Sequence, residues 1–364
     1  MAAAPRTTMA DVAAAAGVSR ALVSIVIRGA AGASDATRRH VLQVAADLGY
    51  RPDTRARLLR SSRTRLIGVV FNVTEPYHAE LVELLYEAAD AEGYAVTLSA
   101  TGPRRGEREA VESLLDLGAE AVIIIAPSGT AGQLAGFPVP VVSLLGTVGG
   151  AEPGTFSSVS SDEGAGIRLA MGHLRGLGHR RIAHIDGGSA VGSAARRGAY
   201  EACMDGSGEA AVVLPGGPLE SDGSRAAAAL LTSMGWPLPL HDAGPAARGT
   251  AASPARPATG GRASGAPTAV VIFNDRSALG ALDTFRAAGL RIPGGLSVVG
   301  YDNSRMARLE HINLTTIGQD GAELAAAAVR SAAARIGGGP GQDVVVAPSL
   351  VRGGTTAAPA PPGT

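Results

Sequence analysis

The charged side chains of this sequence are unevenly placed. Eleven arginines stand in residues 1–65 against four acids, Asp11, Asp35, Asp47 and Asp53, a balance of +7 in a chain of 364 residues whose net charge is zero. The remainder is therefore acidic by the same amount. A basic head on an acidic body suits a nucleic-acid-binding module joined to a body that does not bind nucleic acid. All 32 basic residues are arginine and glycine reaches 50, a composition read first as codon bias.

Catalytic patterns are missing. There is no P-loop, no GxGxxG after a strand, no nucleophile elbow and no His/Cys metal spacing. His173, His179 and His184 fall around a helix end and a strand and share no face. A single cysteine, Cys203, excludes an internal disulfide and a cysteine-cluster metal site. Neither an enzyme nor a cofactor or metal ion is expected. The N-terminal MAAAPRTTMADV has no long apolar run, and no stretch approaches a membrane span, so a cytoplasmic protein is the expectation.

The elements that hold the basic head are short. Thr8 with Asp11 reads as the cap of a helix over 9–16, stopped by Gly17. Ser19 caps a second helix over 20–27, and Ser34 caps a third over 35–48, ended by Gly49. Two helices joined by a glycine turn, with a third behind them, make a helix-turn-helix whose second helix enters the major groove. After Arg65, apolar runs such as LIGVVF, AVIIIAP, RIAHIDG and TAVVIF alternate with helical stretches. That alternation predicts parallel sheets covered on both faces, and its length fits two sheets rather than one. Residues 238–266 are rich in Ala, Gly, Pro and Ser without apolar periodicity and read as a disordered insertion.

TMADVAAAAGVSRALVSIVIRG, followed by SDATRRHVLQVAADLGYRP, resembles the head of the LacI/GalR family of transcriptional regulators. GHLRGLGHRRIAHIDG, FNDRSALGALDTFRAAGLRIPGGLSVVGYD and LTTIGQD resemble the same family's effector domain. The resemblance implies a small all-α helix-turn-helix domain over 1–50 and a hinge over 51–65. It implies an α/β bilobed periplasmic-binding-protein-like domain over 66–352, with two parallel, doubly wound sheets. Lobe 1 is expected at about 66–160 and 319–342, lobe 2 at about 161–318 and 343–352, and a disordered tail at 353–364.

By the same resemblance Arg20, Ala21 and Ile25 face base edges, and Ser19, Ser24 and Arg28 contact phosphates. Ala56 faces the minor groove and Leu59 is a wedge between base steps, which calls for a homodimer on a pseudo-palindromic double-stranded DNA operator. Tyr77, Arg196, Asn274 and Asp302 are the implied ligand contacts for a carbohydrate-like effector. Asp275 is read as the cap of the helix that follows it. The sequence departs from the family's pattern at Leu22, Ile25, Leu145 and Ala199; Ile25 can face the three-helix core instead of DNA, and the hinge can be a plain amphipathic connector. The alternative function is a solute-binding receptor without DNA binding, which the basic head opposes.

Overall fold

The computed structural model describes residues 7–27, 29–50, 63–146, 148, 154–236 and 265–360. The chain divides into two compact units, Met1–Thr64 and Arg65–Thr364. Among the described residues no single helix is long and apolar enough to cross a membrane.

The first unit is built on α1 (Met9–Ala16), α2 (Arg20–Ile27) and α3 (Asp35–Asp47). Thr8 and Asp11 cap α1 reciprocally: Asp11 N donates to Thr8 Oγ1 at 3.3 Å and Thr8 N donates to Asp11 Oδ2 at 2.7 Å. Gly17, at φ 64°, takes the left-handed turn, and α1 and α2 meet at 106°. That angle is what a helix-turn-helix requires. Val12, Val23, Val26, Val41 and Ala45 form its buried core.

The second unit holds two sheets. The first has the order β11-β5-β4-β3-β1-β2, from β1 (Leu66–Asn72), β2 (Ala95–Thr101), β3 (Ala121–Ile125), β4 (Val141–Leu144), β5 (Ser157–Ser161) and β11 (Asp343–Val346). All its pairings are parallel, with Ile67 opposite both Val96 and Ala121. The second has the order β12-β10-β9-β8-β6-β7, from β6 (Ile182–Ile185), β7 (Val212–Leu214), β8 (Ala269–Ile272), β9 (Ser297–Asp302), β10 (Thr315–Gly318) and β12 (Ser349–Val351). Only β12 runs antiparallel there. Helices α4 (Pro76–Ala91), α5 (Glu107–Asp116), α6 (Ala131–Leu134) and α11 (Gly321–Ile336) belong to the first lobe. Helices α7 (Glu163–Gly176), α8 (Ser193–Asp205), α9 (Glu220–Ser233) and α10 (Asp275–Ala287) belong to the second. In each sheet the strand order reverses beside the first strand, between β1 and β3 and between β6 and β8. Loops at the carboxyl ends of strands flanking such reversals are where ligands bind in open α/β sheets.

Three boundaries differ from the sequence reading. Asp343–Val346 pairs with β5 in the first sheet, so the last crossing falls between Val346 and Ser349 rather than at 343. The tail expected to be disordered from 353 is tied down instead. Thr355 accepts from Val298 N through its carbonyl and from Thr315 N through its hydroxyl, both at 2.9 Å, and it is buried. Ala357 N donates to Ser297 Oγ at 3.1 Å. These groups satisfy backbone positions at the β9 and β10 ends that would otherwise be buried without partners. The insertion expected over 238–266 lies outside the described residues up to 264; Ala266 is buried in the core of the second lobe and accepts from Arg181 Nε.

Candidate functional site

On the first unit, Arg20 and Ala21 are exposed at the start of α2. The Ser19 hydroxyl accepts from Leu22 N at 3.1 Å, so its first role is to cap the helix. Ser24 is half-buried. Ile25 is also half-buried and lies over Gly32, where a Cβ would meet its Cδ1 at 3.7 Å. Arg28, Ala56 and Leu59 lie outside the described residues.

The second unit carries a cleft of about 470 Å³. It is walled on one side by loops after β1 and β3 and on the other by loops after β6, β8 and β9. Its two walls therefore rise from the two places where strand order reverses. Tyr77, Arg196, Asn274 and Asp302 all line it.

Tyr77 sits in the first turn of α4, directly after Pro76, which is favoured there because the helix needs no N–H at that position. Its ring is buried and its hydroxyl has no hydrogen-bond partner among the described residues. Burial pushes that hydroxyl's pKa up.

Arg196, on α8, is held on three sides. Its Nε donates to Glu163 Oε2 at 2.5 Å, Nη2 to Glu163 Oε1 at 3.3 Å, and Nη1 to the Phe273 carbonyl at 2.5 Å. The guanidinium also lies 3.6 Å from the Tyr301 ring centre and 4.7 Å from that of Phe273. Burial opposes its charge most strongly, but Glu163, Tyr301 and Asp302 together outweigh burial and its pKa is raised. Glu163 was missed by sequence reasoning, because an acid in the first turn of a helix looks like an ordinary solvated residue.

Asn274 caps α10 through Oδ1, which accepts from Ser277 N at 2.8 Å. The cap was expected from Asp275. That carboxylate is instead fully buried one residue later, accepting from Ser304 N at 2.7 Å and from Thr316 Oγ1 at 2.6 Å. Burial raises its pKa to about 7, against those hydrogen bonds. Asp302 ends β9 at φ 114°, a conformation that side chains rarely adopt, and it accepts from Gln319 Nε2 at 2.8 Å. Burial drives its carboxyl well above the usual carboxylate range; Arg196 opposes this, and Asp275 and Glu75 add to it. Gln319 lines the cleft too, its Oε1 buried without a partner among the described residues.

Ion pairs join the lobes beside the cleft. Arg276 reaches Glu75 at 3.5 Å across the gap while holding Glu220 of its own lobe at 2.7 Å. Arg308 pairs with Glu80 at 3.4 Å and Arg305 with Glu83, again from one lobe to the other. At two departures from the family's pattern, Leu145 lines the cleft at φ 65° and Ala199 packs on the core instead.

Two family models match the chain. One describes bacterial regulatory proteins of the lacI family and covers residues 8–53; the other describes a periplasmic binding protein-like domain and covers residues 171–356. The HTH-type transcriptional regulator MalR of Streptomyces coelicolor is 30% identical over 97% of this chain and 98% of its own length. A crystal structure of a LacI transcriptional regulator from a Rhodococcus species is 39% identical with a TM-score of 0.69, spanning 80% of this chain and 98% of its own. The lac repressor dimer bound to operator and the anti-inducer ONPF is 26% identical with a TM-score of 0.75, spanning 97% of this chain and all of its own.

Proposed function

This chain belongs to the lacI family of bacterial regulatory proteins, a DNA-binding transcriptional regulator with a ligand-binding effector domain, and from that membership we propose that it is a cytoplasmic repressor acting as a homodimer on a pseudo-palindromic operator under the control of a carbohydrate-like effector. One observation carries the reading: the same chain holds a capped helix-turn-helix with an exposed arginine opening its second helix, and a cleft between two lobes into which several polar side chains converge.

At the DNA, Arg20 donates two hydrogen bonds to a guanine edge, a contact worth roughly 1–3 kcal/mol of discrimination. Ala21 and Ile25 offer only apolar contact, for instance to a thymine methyl. Ser19 keeps its hydroxyl hydrogen for a phosphate while its oxygen caps the helix, and Ser24 and Arg28 supply further phosphate contacts, which position without specifying. Ala56 and Leu59 act in the minor groove, where an apolar wedge kinks the duplex; this part rests on the family resemblance alone.

In the cleft, Tyr77 stacks on the ligand and offers its unpartnered hydroxyl, while Asp302 and Gln319 accept from ligand hydroxyls. A guanidinium has five N–H groups, and three of those on Arg196 are occupied, leaving two for a ligand. Glu163 has already neutralised its charge, so the pocket favours an uncharged ligand over a carboxylate or phosphate. The interlobe ion pairs bias the lobes towards closure, and an effector that binds one arrangement better shifts the DNA-competent population by its differential affinity, about 1–3 kcal/mol of coupling.

The test is selection of duplexes from a randomised library by the purified full chain, followed by titration of the selected duplex against salt and against neutral, acidic and phosphorylated sugars. Sequence-selective, salt-sensitive binding that a neutral sugar alters is expected. Absence of any sequence-selective binding refutes the regulator; a response confined to anionic sugars refutes the ligand class.

A further inference from the structure

The arginines of the basic head invite the assumption that each one meets a phosphate. Arg38, on α3, is half-buried, and its guanidinium donates through Nη2 to the Ala30 carbonyl at 2.8 Å and through Nη1 to the Val26 carbonyl at 3.4 Å. Those two carbonyls mark the end of α2 and the turn that leaves it. The same turn is closed by Ala30 N donating to the Ile25 carbonyl and Gly29 N donating to the Val26 carbonyl, both at 3.1 Å, with Gly29 at φ 67°. Helix α2 has no basic residue of its own in its last turn. Helix C-termini leave carbonyls unsatisfied and favour a nearby cation. Arg38 supplies both, from a different helix.

We propose that Arg38 is a positioning residue for the DNA-reading helix: it clamps the C-terminal end of α2 to α3 and so fixes the direction in which Arg20 and Ala21 are presented, without contacting DNA itself. The proposal rests on the reading of this unit as a DNA reader. Each carbonyl is held by a separate arm of one planar guanidinium, which a lysine's single ammonium cannot reproduce. Arg39 next door is the natural control, being exposed and, among the described residues, bonded only to its own helix through Nε and the Asp35 carbonyl at 3.4 Å.

Full-length Arg38→Lys, Arg38→Ala and Arg39→Ala are compared with the parent on the duplex that the parent selects from a randomised library, and on a random-sequence duplex, over a range of salt. Hydrogen exchange of the 26–31 backbone is followed in the free proteins. Arg38→Lys is expected to lose about tenfold or more in affinity for the selected duplex, a charged hydrogen bond's worth. It should keep the parent's random-duplex affinity and salt slope, and exchange faster over 26–31. Arg38→Ala should lose as much or more on the selected duplex, yet match Arg39→Ala on random DNA. A phosphate contact gives the opposite pattern: Lys is tolerated, while Ala weakens both duplexes together and reduces the salt slope by about one. That pattern, or unchanged exchange over 26–31, overturns the proposal. If the parent selects no duplex, the DNA-reader assignment itself fails, and the exchange measurement still decides whether Arg38 clamps α2.

Discussion

Removing Arg196 should destabilise the second lobe more than removing Arg196 and Glu163 together. The two side chains are 5% and 15% exposed and joined by a two-point contact. Arg196→Ala strands a buried carboxylate and empties the space beneath the Tyr301 and Phe273 rings. Breaking a buried pair from one side costs about 3–5 kcal/mol, because the remaining charge has lost its compensation. In the double variant Arg196→Met with Glu163→Gln, no charge is left stranded. What remains is the loss of the bond to the Phe273 carbonyl and of the cation–ring contact, about 1–2 kcal/mol together. Arg196→Ala should therefore be about 2–3 kcal/mol less stable than the double variant. Urea unfolding reads it directly. Trp236, the single tryptophan, packs on the core of that lobe and donates through Nε1 to the Ala288 carbonyl at 2.9 Å, so its fluorescence reports unfolding there. Equal losses in the single and double variants, or a loss below about 1 kcal/mol for Arg196→Ala, would show that solvent already screens the pair.

Burial lowers the pKa of both His78 and His184 to about 4, below the unfolded 6.5, so each stabilises the fold above 6.5 and loses that contribution as pH falls towards 4, about 3 kcal/mol apiece. Asp275, raised to about 7, runs the other way, stabilising at low pH and losing that contribution as pH rises through 7. His184→Gln should therefore raise stability at pH 5 relative to pH 7, compared with the parent, and Asp275→Asn should lower it; urea midpoints at the two pH values that move together contradict this. Helices α9 and α10 touch backbone to backbone at Gly223 and Gly280, where an added Cβ would strike the Ser277 and Glu220 carbonyls respectively. Gly280→Ala should cost about 1–3 kcal/mol by overpacking, measured by the same unfolding assay, and a neutral result would mean that the helices separate easily. Arg276→Gln removes the best-buried interlobe ion pair, with Arg276 17% and Glu75 15% exposed, and should make the free chain more open in small-angle scattering. The more exposed Arg305→Gln should change little. Equal effects of the two substitutions contradict the ranking.

Much of this architecture was legible in the residues because apolar runs of Val and Ile announce buried strands. Eight of the strands were found in that way, β1 to β4 and β6 to β9. Of the remaining four, β5 and β10 hide behind hydroxyls. β5 reads SSVSS, yet Ser157, Ser158 and Ser161 are buried, with Ser158 Oγ donating to Asp343 Oδ1 at 2.5 Å on the neighbouring β11. β10 reads TTIG, and Thr316 is buried because Asp275 receives its hydroxyl hydrogen. A hydrophobic pattern registers apolarity, and these positions are buried through paired polar groups instead. The tail failed for the same reason: GGTTAAP looks like low complexity until Thr355 meets the ends of β9 and β10. The helix-turn-helix was read correctly to within a residue, because its signals are local: Thr8, Gly17, Ser19 and Ser34 each act on the backbone within a few positions. In the cleft, the four side chains named from the family's pattern all line the cavity, whereas Glu163, Gln319 and the Arg276–Glu75 pair had no local signature. Their significance lies in partners 17 to 201 residues away in sequence.

Under the proposed function, the charges around the cleft give a neutral ligand a way to move the two lobes. Glu75 of the first lobe and Asp302 of the second line the same cleft, and both carboxyls are pushed up by burial. Left alone, such a pair resists closing. Arg276 answers it at Glu75 with an ion pair and Gln319 at Asp302 with a single hydrogen bond. A ligand rich in hydroxyl donors adds more of them only where both walls are within reach, which is in the closed arrangement, so its binding energy differs between the two states. An anionic ligand would bring one more negative charge to the same gap and lose that difference.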